Sequence, residues 1–179
     1  MTELAEMAEM PEPLSATMAQ VLPVLQRNCR QPWWLIGSAA LTAWGVPGIV
    51  CQDIDLLVGL DDAARLEDIW AARRERSFVT VNDHLFRSRF ARFTGFGLPV
   101  ETMGGLELNV AGNWRPVIPT DRRCLSTPAG DLNLPSLPAL IDILDAFGRD
   151  KDRDKARRAR AWLASQPELS ASSPASSPE

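Results

Sequence analysis

A chain of 179 residues, 45% of them hydrophobic and 23% charged, can bury one core and is short for two. Its formal net charge of -4 argues against wrapping duplex DNA, because neutralising phosphates takes a surplus of Lys and Arg. Cys29, Cys51 and Cys124 are odd in number and far apart, which suits neither a disulfide framework nor a Cys-x-x-Cys metal site. A reducing, cytoplasmic setting is expected, since MTELAEMAEMPEP lacks the basic and apolar regions of a signal peptide and no stretch reaches a membrane span.

Residues 1–13 and the Ser-, Pro- and Ala-rich residues 165–179 have little to bury and are expected to be disordered tails. Between them, residues 14–164 read as one domain. Leu14, Met18, Val21, Leu22 and Leu25 recur at helical spacing, with Ser15 as a cap and Pro23 as a point where the helix could kink or split. Trp33 to Ile36 is a short apolar run after Pro32 and predicts a buried strand ending at Gly37. A helix opens at Ser38 and is stopped by Gly45 and Pro47. CQDIDLLVG alternates Ile54, Leu56 and Val58 with Asp53, Asp55 and Leu57, the pattern of a strand with one polar start.

Asp61 and Asp62 are placed to cap the next helix, which carries Leu66, Ile69 and Trp70. Short β candidates follow at 78–81, 85–93, 98–103, 106–110 and 114–118, separated by Asn, Gly and Pro. From Ser136 the period is helical again, with Leu137, Leu140, Ile141, Leu144 and Phe147 in one stripe before Gly148, and a charged helix from Lys151 closes the domain. This order predicts an α/β (α+β) fold, a mixed β-sheet with helices mainly on one side.

The chemistry concentrates at two places. A strand that runs through Gly37-Ser38 directly into a helix aims free backbone N–H groups at one spot, which favours phosphate. Asp53 and Asp55, two residues apart on a strand, share a face about 7 Å apart and repel each other unless a hard cation compensates. Two divalent ions about 4 Å apart can clamp the attacking and leaving oxygens of a phosphoryl displacement. Glu101, in LPVETM, is the candidate third carboxylate. Glu107 is the competing choice, but Leu106, Leu108 and Val110 make it the outward residue of an alternating strand.

At these residues the sequence resembles the nucleotidyltransferase superfamily, which includes DNA polymerase beta, the aminoglycoside and lincosamide adenylyltransferases and toxin-type members. LIGSAALTAWG is similar to the family's strand, Gly-Ser turn and helix; VCQDIDLLVG to its Asp-x-Asp strand; LPVETMGGLELN to the later carboxylate strand. Near the C-terminus, Arg149, Lys151 and Asp152 fit an Arg-x-Lys-Asp stretch of the small members, although the lysine those relatives carry on the preceding helix falls at about Leu144 here. The resemblance implies transfer of a nucleoside monophosphate from a nucleoside triphosphate, expected to be ATP, to an acceptor hydroxyl. It also implies Mg2+ or Mn2+ held by Asp53, Asp55 and Glu101, with the triphosphate bound by Gly37, Ser38, Arg149 and Lys151. The acceptor is left open between a small molecule, a protein and an RNA end. Two alternatives belong beside it: a nucleotide-binding or regulatory module without turnover, and the toxin half of a two-protein module acting on tRNA or protein.

The rest of the sequence has simpler readings. His84 follows Asn82-Asp83 as a turn residue, and Cys51 reads as a small core residue, because hard ions bound by carboxylates do not select thiolate. Most of the basic run from Lys151 to Arg160 reads as a solvated helix face. Trp114 could stack on a base or close the sheet. No Walker A sequence or dinucleotide fingerprint occurs.

Overall fold

The structure, a computed structural model, describes residues 10–166, so most of both expected tails lies outside the described residues. The chain runs α1 (Leu14–Asn28), β1 (Trp34–Ile36), α2 (Gly37–Ala43), β2 (Ile54–Val58) and α3 (Leu60–Ile69), followed by a single 3-10 turn, Ala71–Arg73. It continues through β3 (Phe86–Phe93), β4 (Val100–Val110), β5 (Asn113–Pro116), β6 (Arg123–Thr127), β7 (Gly130–Leu134), α4 (Leu137–Phe147) and α5 (Asp150–Ala164). The main sheet has the order β1-β2-β4-β3, with β5 added to the end of β4. β2 and β4 pair in parallel and the other neighbours antiparallel, so the sheet is mixed, as the order of elements implies.

Alternation along the strands separates two faces. Leu35, Ile54, Leu56, Val100, Ala91 and Phe93 are buried on one, where α3 packs so closely that a Cβ on Gly104 would lie 2.5 Å from that of Ala63. Ile36, Asp55, Glu101 and Arg92 belong to the other face and stand opposite one another across the sheet. α1 buries Leu14, Met18, Val21, Leu22 and Leu25. Each such side chain, fully buried, contributes about 1.5–3 kcal/mol, and this stripe carries the helix unbroken through Pro23.

Several local expectations are corrected. Ser15 does not cap α1; its hydroxyl donates to Glu12, and the helix starts at Leu14. Nor do Asp61 and Asp62 cap α3, whose N-cap is Gly59. The buried Asp62 carboxylate instead accepts the N–H groups of Arg30 and Gln31, just past the end of α1, which ties the two helices together. Residues 78–81 do not form a strand: Val79 and Val81 are exposed and find no strand partner among the described residues, because the sheet resumes only at Phe86. The two candidates 98–103 and 106–110 are one strand, β4. Gly105, at φ +59, is absorbed where β3 shifts register between Arg87 and Arg89. The β6–β7 hairpin is an addition to the expected elements; its Leu125, Leu132 and Leu134 close the core beside β1. Trp114 sits in β5 under the Arg87 guanidinium, 4.5 Å from the ring centre.

α4 follows its signals closely. Ser136 caps it by accepting from the Ala139 N–H, and Gly148 ends it in the left-handed conformation at φ +68. α4 and α5 pack as a hairpin, and α4 also touches α2. No helix among the described residues is long and apolar enough to cross a membrane.

Candidate active site

The polar face of the sheet opens into a cleft of about 850 Å3. Its floor is the row across β1, β2, β4 and β3, where Ile36 pairs with Asp55, Asp55 with Glu101 and Glu101 with Arg92. Asp53 lies in the bend just before β2, so the two aspartates leave the chain at the same edge. α4 and α5 form the facing wall, and the segment around 78–83 borders the mouth.

Gly37 is dictated by this geometry. It adopts φ +66, and a Cβ on it would lie 2.4 Å from the Asp55 carboxylate oxygen Oδ2. Both the left-handed conformation and the close approach exclude a side chain. Ser38 is buried at the edge of the cleft, but its hydroxyl does not cap α2. That helix has only seven residues, so its dipole is small, and the service of the Gly-Ser turn is to leave room beside Asp55.

Electrostatics mark the floor as strained in charge. Burial first, then the charges of Asp53 and Glu101, push the Asp55 carboxyl up to about 7, while Lys155 on α5 pulls it back. Burial and Asp53 likewise raise Glu101, against the lowering effect of Arg92. Cys51 is an ordinary half-buried thiol that donates to the Asp53 carbonyl, and burial raises its pKa to about 11.

Three clustered hard-oxygen donors, Asp53, Asp55 and Glu101, fit Mg2+ or Mn2+ in chemistry, since a bound cation would relieve the mutual repulsion of the three carboxylates. They are not already assembled as a ligand cage: among the described residues no three His, Cys, Asp or Glu side chains are so arranged. Arg92 stands among them. Its guanidinium bonds Glu101 through Nη1 and Glu75 through Nε at 3.0 Å, and lies 3.9 Å from Asp53. Glu107 is elsewhere, paired with Arg87 at the protein surface.

The basic wall brings Arg149 and Lys151 to the same cleft. Arg149 does border the cleft, but both arms of its guanidinium hold the buried Asp152 carboxylate, and it stacks on Phe86 and Phe147. Lys151 and Lys155 line the cleft and make no salt bridge among the described residues. Sequence reasoning misses Lys155, although its place one helical turn after Lys151 puts both on one face. It misses Arg92 for a better reason: the meeting with Glu101 depends on the β3–β4 register. The remaining α5 arginines have acidic neighbours: Arg153 lies near Asp150, Arg157 and Arg158 share the one Asp154 carboxylate, and Arg160 pairs with Asp145.

The sequence matches no protein-family model and no curated protein. Solved structures do share its architecture. A Thermotoga maritima protein assigned to the nucleotidyltransferases is 24% identical, superposes with a TM-score of 0.60, and is matched over 82% of this chain and 94% of its own. The antibiotic-resistance factor ANT(2'')-Ia is 14% identical with a TM-score of 0.50, over 88% of this chain and 86% of its own. The lincosamide antibiotic adenylyltransferase LnuA, solved with lincomycin bound, is 10% identical with a TM-score of 0.50, over 81% of this chain and 95% of its own. The chain has the nucleotidyltransferase fold.

Proposed function

We propose that this chain is a metal-dependent nucleotidyltransferase that moves a nucleoside monophosphate from a nucleoside triphosphate, preferably ATP, to an acceptor hydroxyl. The observation that carries the reading is the row of Asp55 and Glu101 beside a side-chain-free Gly37, with Lys151 and Lys155, which have no acidic partner among the described residues, lining the same cleft. Asp53 and Asp55 hold the ion that accompanies the triphosphate, and Glu101 serves the acceptor side. When bound, Mg2+ or Mn2+ supplies charge neutralisation at the phosphoryl group and lowers the acceptor's pKa. Lys151 and Lys155 counter the negative charge of the triphosphate and of the departing pyrophosphate. Gly37 and Ser38 border the phosphates, and Glu101 is placed to draw off the acceptor proton. Arg149 orders the α4–α5 wall through Asp152, in place of the direct phosphate contact expected for it.

A small-molecule acceptor is favoured over RNA, because each α5 arginine that would track a phosphate backbone already has an acidic neighbour, with Arg157 and Arg158 sharing Asp154. The testing experiment incubates the protein with magnesium, alpha-labelled ATP and a fractionated small-molecule extract. Label is expected to pass to an acceptor with wild type and not with Asp53→Asn. In parallel, magnesium plus ATP is expected to raise the melting temperature of wild type, and Asp53→Asn to remove most of that rise. An equal rise in the variant would place the triphosphate elsewhere and sink the reading.

A further inference from the structure

Arg92 is a cation embedded in the acidic floor, and the fold invests in holding it. Its side chain is only 17% exposed, against 13% for Glu101 and 35% for Asp53 and Glu75. It faces carboxylates on three sides. Glu75, just after the 3-10 turn, accepts from Nε; Glu101 on β4 accepts from Nη1; Asp53 stands 3.9 Å away. The fourth side is closed by Phe78, whose ring centre lies 4.6 Å from the guanidinium carbon and which stacks on Phe90. Pairing of Arg92 with Glu101 across β3 and β4 fixes the starting points of both side chains. The guanidinium therefore spans the gap between Glu101 and Asp53, where a divalent ion shared by them would need oxygen ligands turned inward.

We propose that Arg92 is a positioning residue that keeps Glu101 and Asp53 from closing on a divalent ion while the cleft holds no nucleotide. This rests on the proposed role of Asp53, Asp55 and Glu101 as the metal carboxylates. Arg92 also lines the cleft, so an anionic phosphate oxygen entering there offers its guanidinium another partner and frees Glu101. Metal alone then binds weakly, and metal with triphosphate binds well. The device makes the acceptor-side carboxylate available only once the donor nucleotide is in place.

The charges predict opposite effects for two substitutions. Arg92→Gln removes the competing cation and leaves Glu101 and Asp53 free for metal. Glu75→Gln removes a carboxylate that shares Arg92, leaving its whole charge to Glu101 and Asp53. Glu75 lies on the rim of this cluster and has no part in the proposed chemistry.

The test is Mn2+ binding to the full chain without nucleotide, followed by the electron paramagnetic resonance of free Mn2+. Arg92→Gln is expected to bind Mn2+ about tenfold more tightly than wild type, Glu75→Gln about threefold more weakly, and Arg92→Lys in between, since Lys keeps the charge but loses the fork. Equal affinities for wild type and Arg92→Gln, or tighter binding by Glu75→Gln, would overturn the proposal. Should Arg92→Gln fail to fold, the partly exposed Glu75→Gln decides alone. Asp53→Asn separates the two levels: if it leaves Mn2+ affinity unchanged, the metal site itself is misplaced. If it abolishes binding while the Arg92 and Glu75 variants match wild type, only the role of Arg92 falls.

Discussion

The two walls of the cleft are built on different principles. The acidic wall depends on register across strands that are far apart in sequence, so Asp55, Glu101 and Arg92 are neighbours only because β4 lies between β2 and β3. The basic wall depends on the period of a single helix, so Lys151 and Lys155 come together automatically once α5 forms. Charge is handled differently as well. On the acidic wall like charges are crowded and two carboxyls, Asp55 and Glu101, are forced upward in pKa; on the basic wall the arginines have acidic neighbours and two lysines are left for the cleft. The contrast suits the proposed site: carboxylates for a metal on one wall, lysines for a triphosphate on the other.

The contrast is broken most severely at Asp55. Asp55→Asn is expected to lower turnover by about a thousandfold or more, measured with labelled ATP, since it removes one of the proposed metal carboxylates. The same variant should be more stable than wild type in metal-free buffer. The folded-state pKa of Asp55 is raised to about 7, so between about pH 4 and 7 the folded chain holds a proton that the unfolded chain has released. Its stability is therefore fullest below that window and falls as pH rises through it. Asp55→Asn should remove that part of the slope and raise the melting temperature at pH 8 by on the order of 3–8 °C. A lower melting temperature would show that the carboxylate is not repelled by its neighbours.

Arg149 and Lys155 sharpen the comparison within the basic wall. Arg149→Met leaves the buried Asp152 carboxylate without its partner and should cost roughly 2–4 kcal/mol of stability, read by urea unfolding. Lys155→Met should leave the unfolding midpoint nearly unchanged and weaken Mg-ATP binding by about tenfold, read by calorimetry. The outcome that would reverse this assignment is the opposite pair, a stable Arg149→Met with poor nucleotide binding beside an unstable Lys155→Met that binds normally.

Much of the fold is legible in the sequence alone. The helical stripes of α1 and α4, the start of α4 after Ser136 and the Gly148 stop can be read because each is a local matter of spacing and backbone conformation. The Gly37 turn and the acids after Cys51 are readable for the same reason. Where the β pattern misleads, at 78–81 and at the β6–β7 hairpin, the deciding fact is whether a partner strand is present, and no local pattern carries that. Asp62 shows the same limit: its position suits a helix cap, but the N–H groups of Arg30 and Gln31, brought to it by the packing of α1 and α3, take its carboxylate instead.

What the sequence by itself determined, then, is the set of elements and the types of residue from which a metal and phosphate site could be made. Backbone preference and side-chain periodicity act over a few residues, and those ranges suffice to place Asp53 and Asp55 beside a strand and Lys151 on a helix. Only the tertiary structure decided which charges meet. It set Glu101 opposite Asp55 and sent Glu107 to Arg87, locked Arg149 onto Asp152, brought Lys155 to the same cleft as the acids, and placed Arg92 among Glu75, Glu101 and Asp53. Coulombic interaction depends on distance through space, and distances between strands and helices are fixed by packing and register, which no single segment contains.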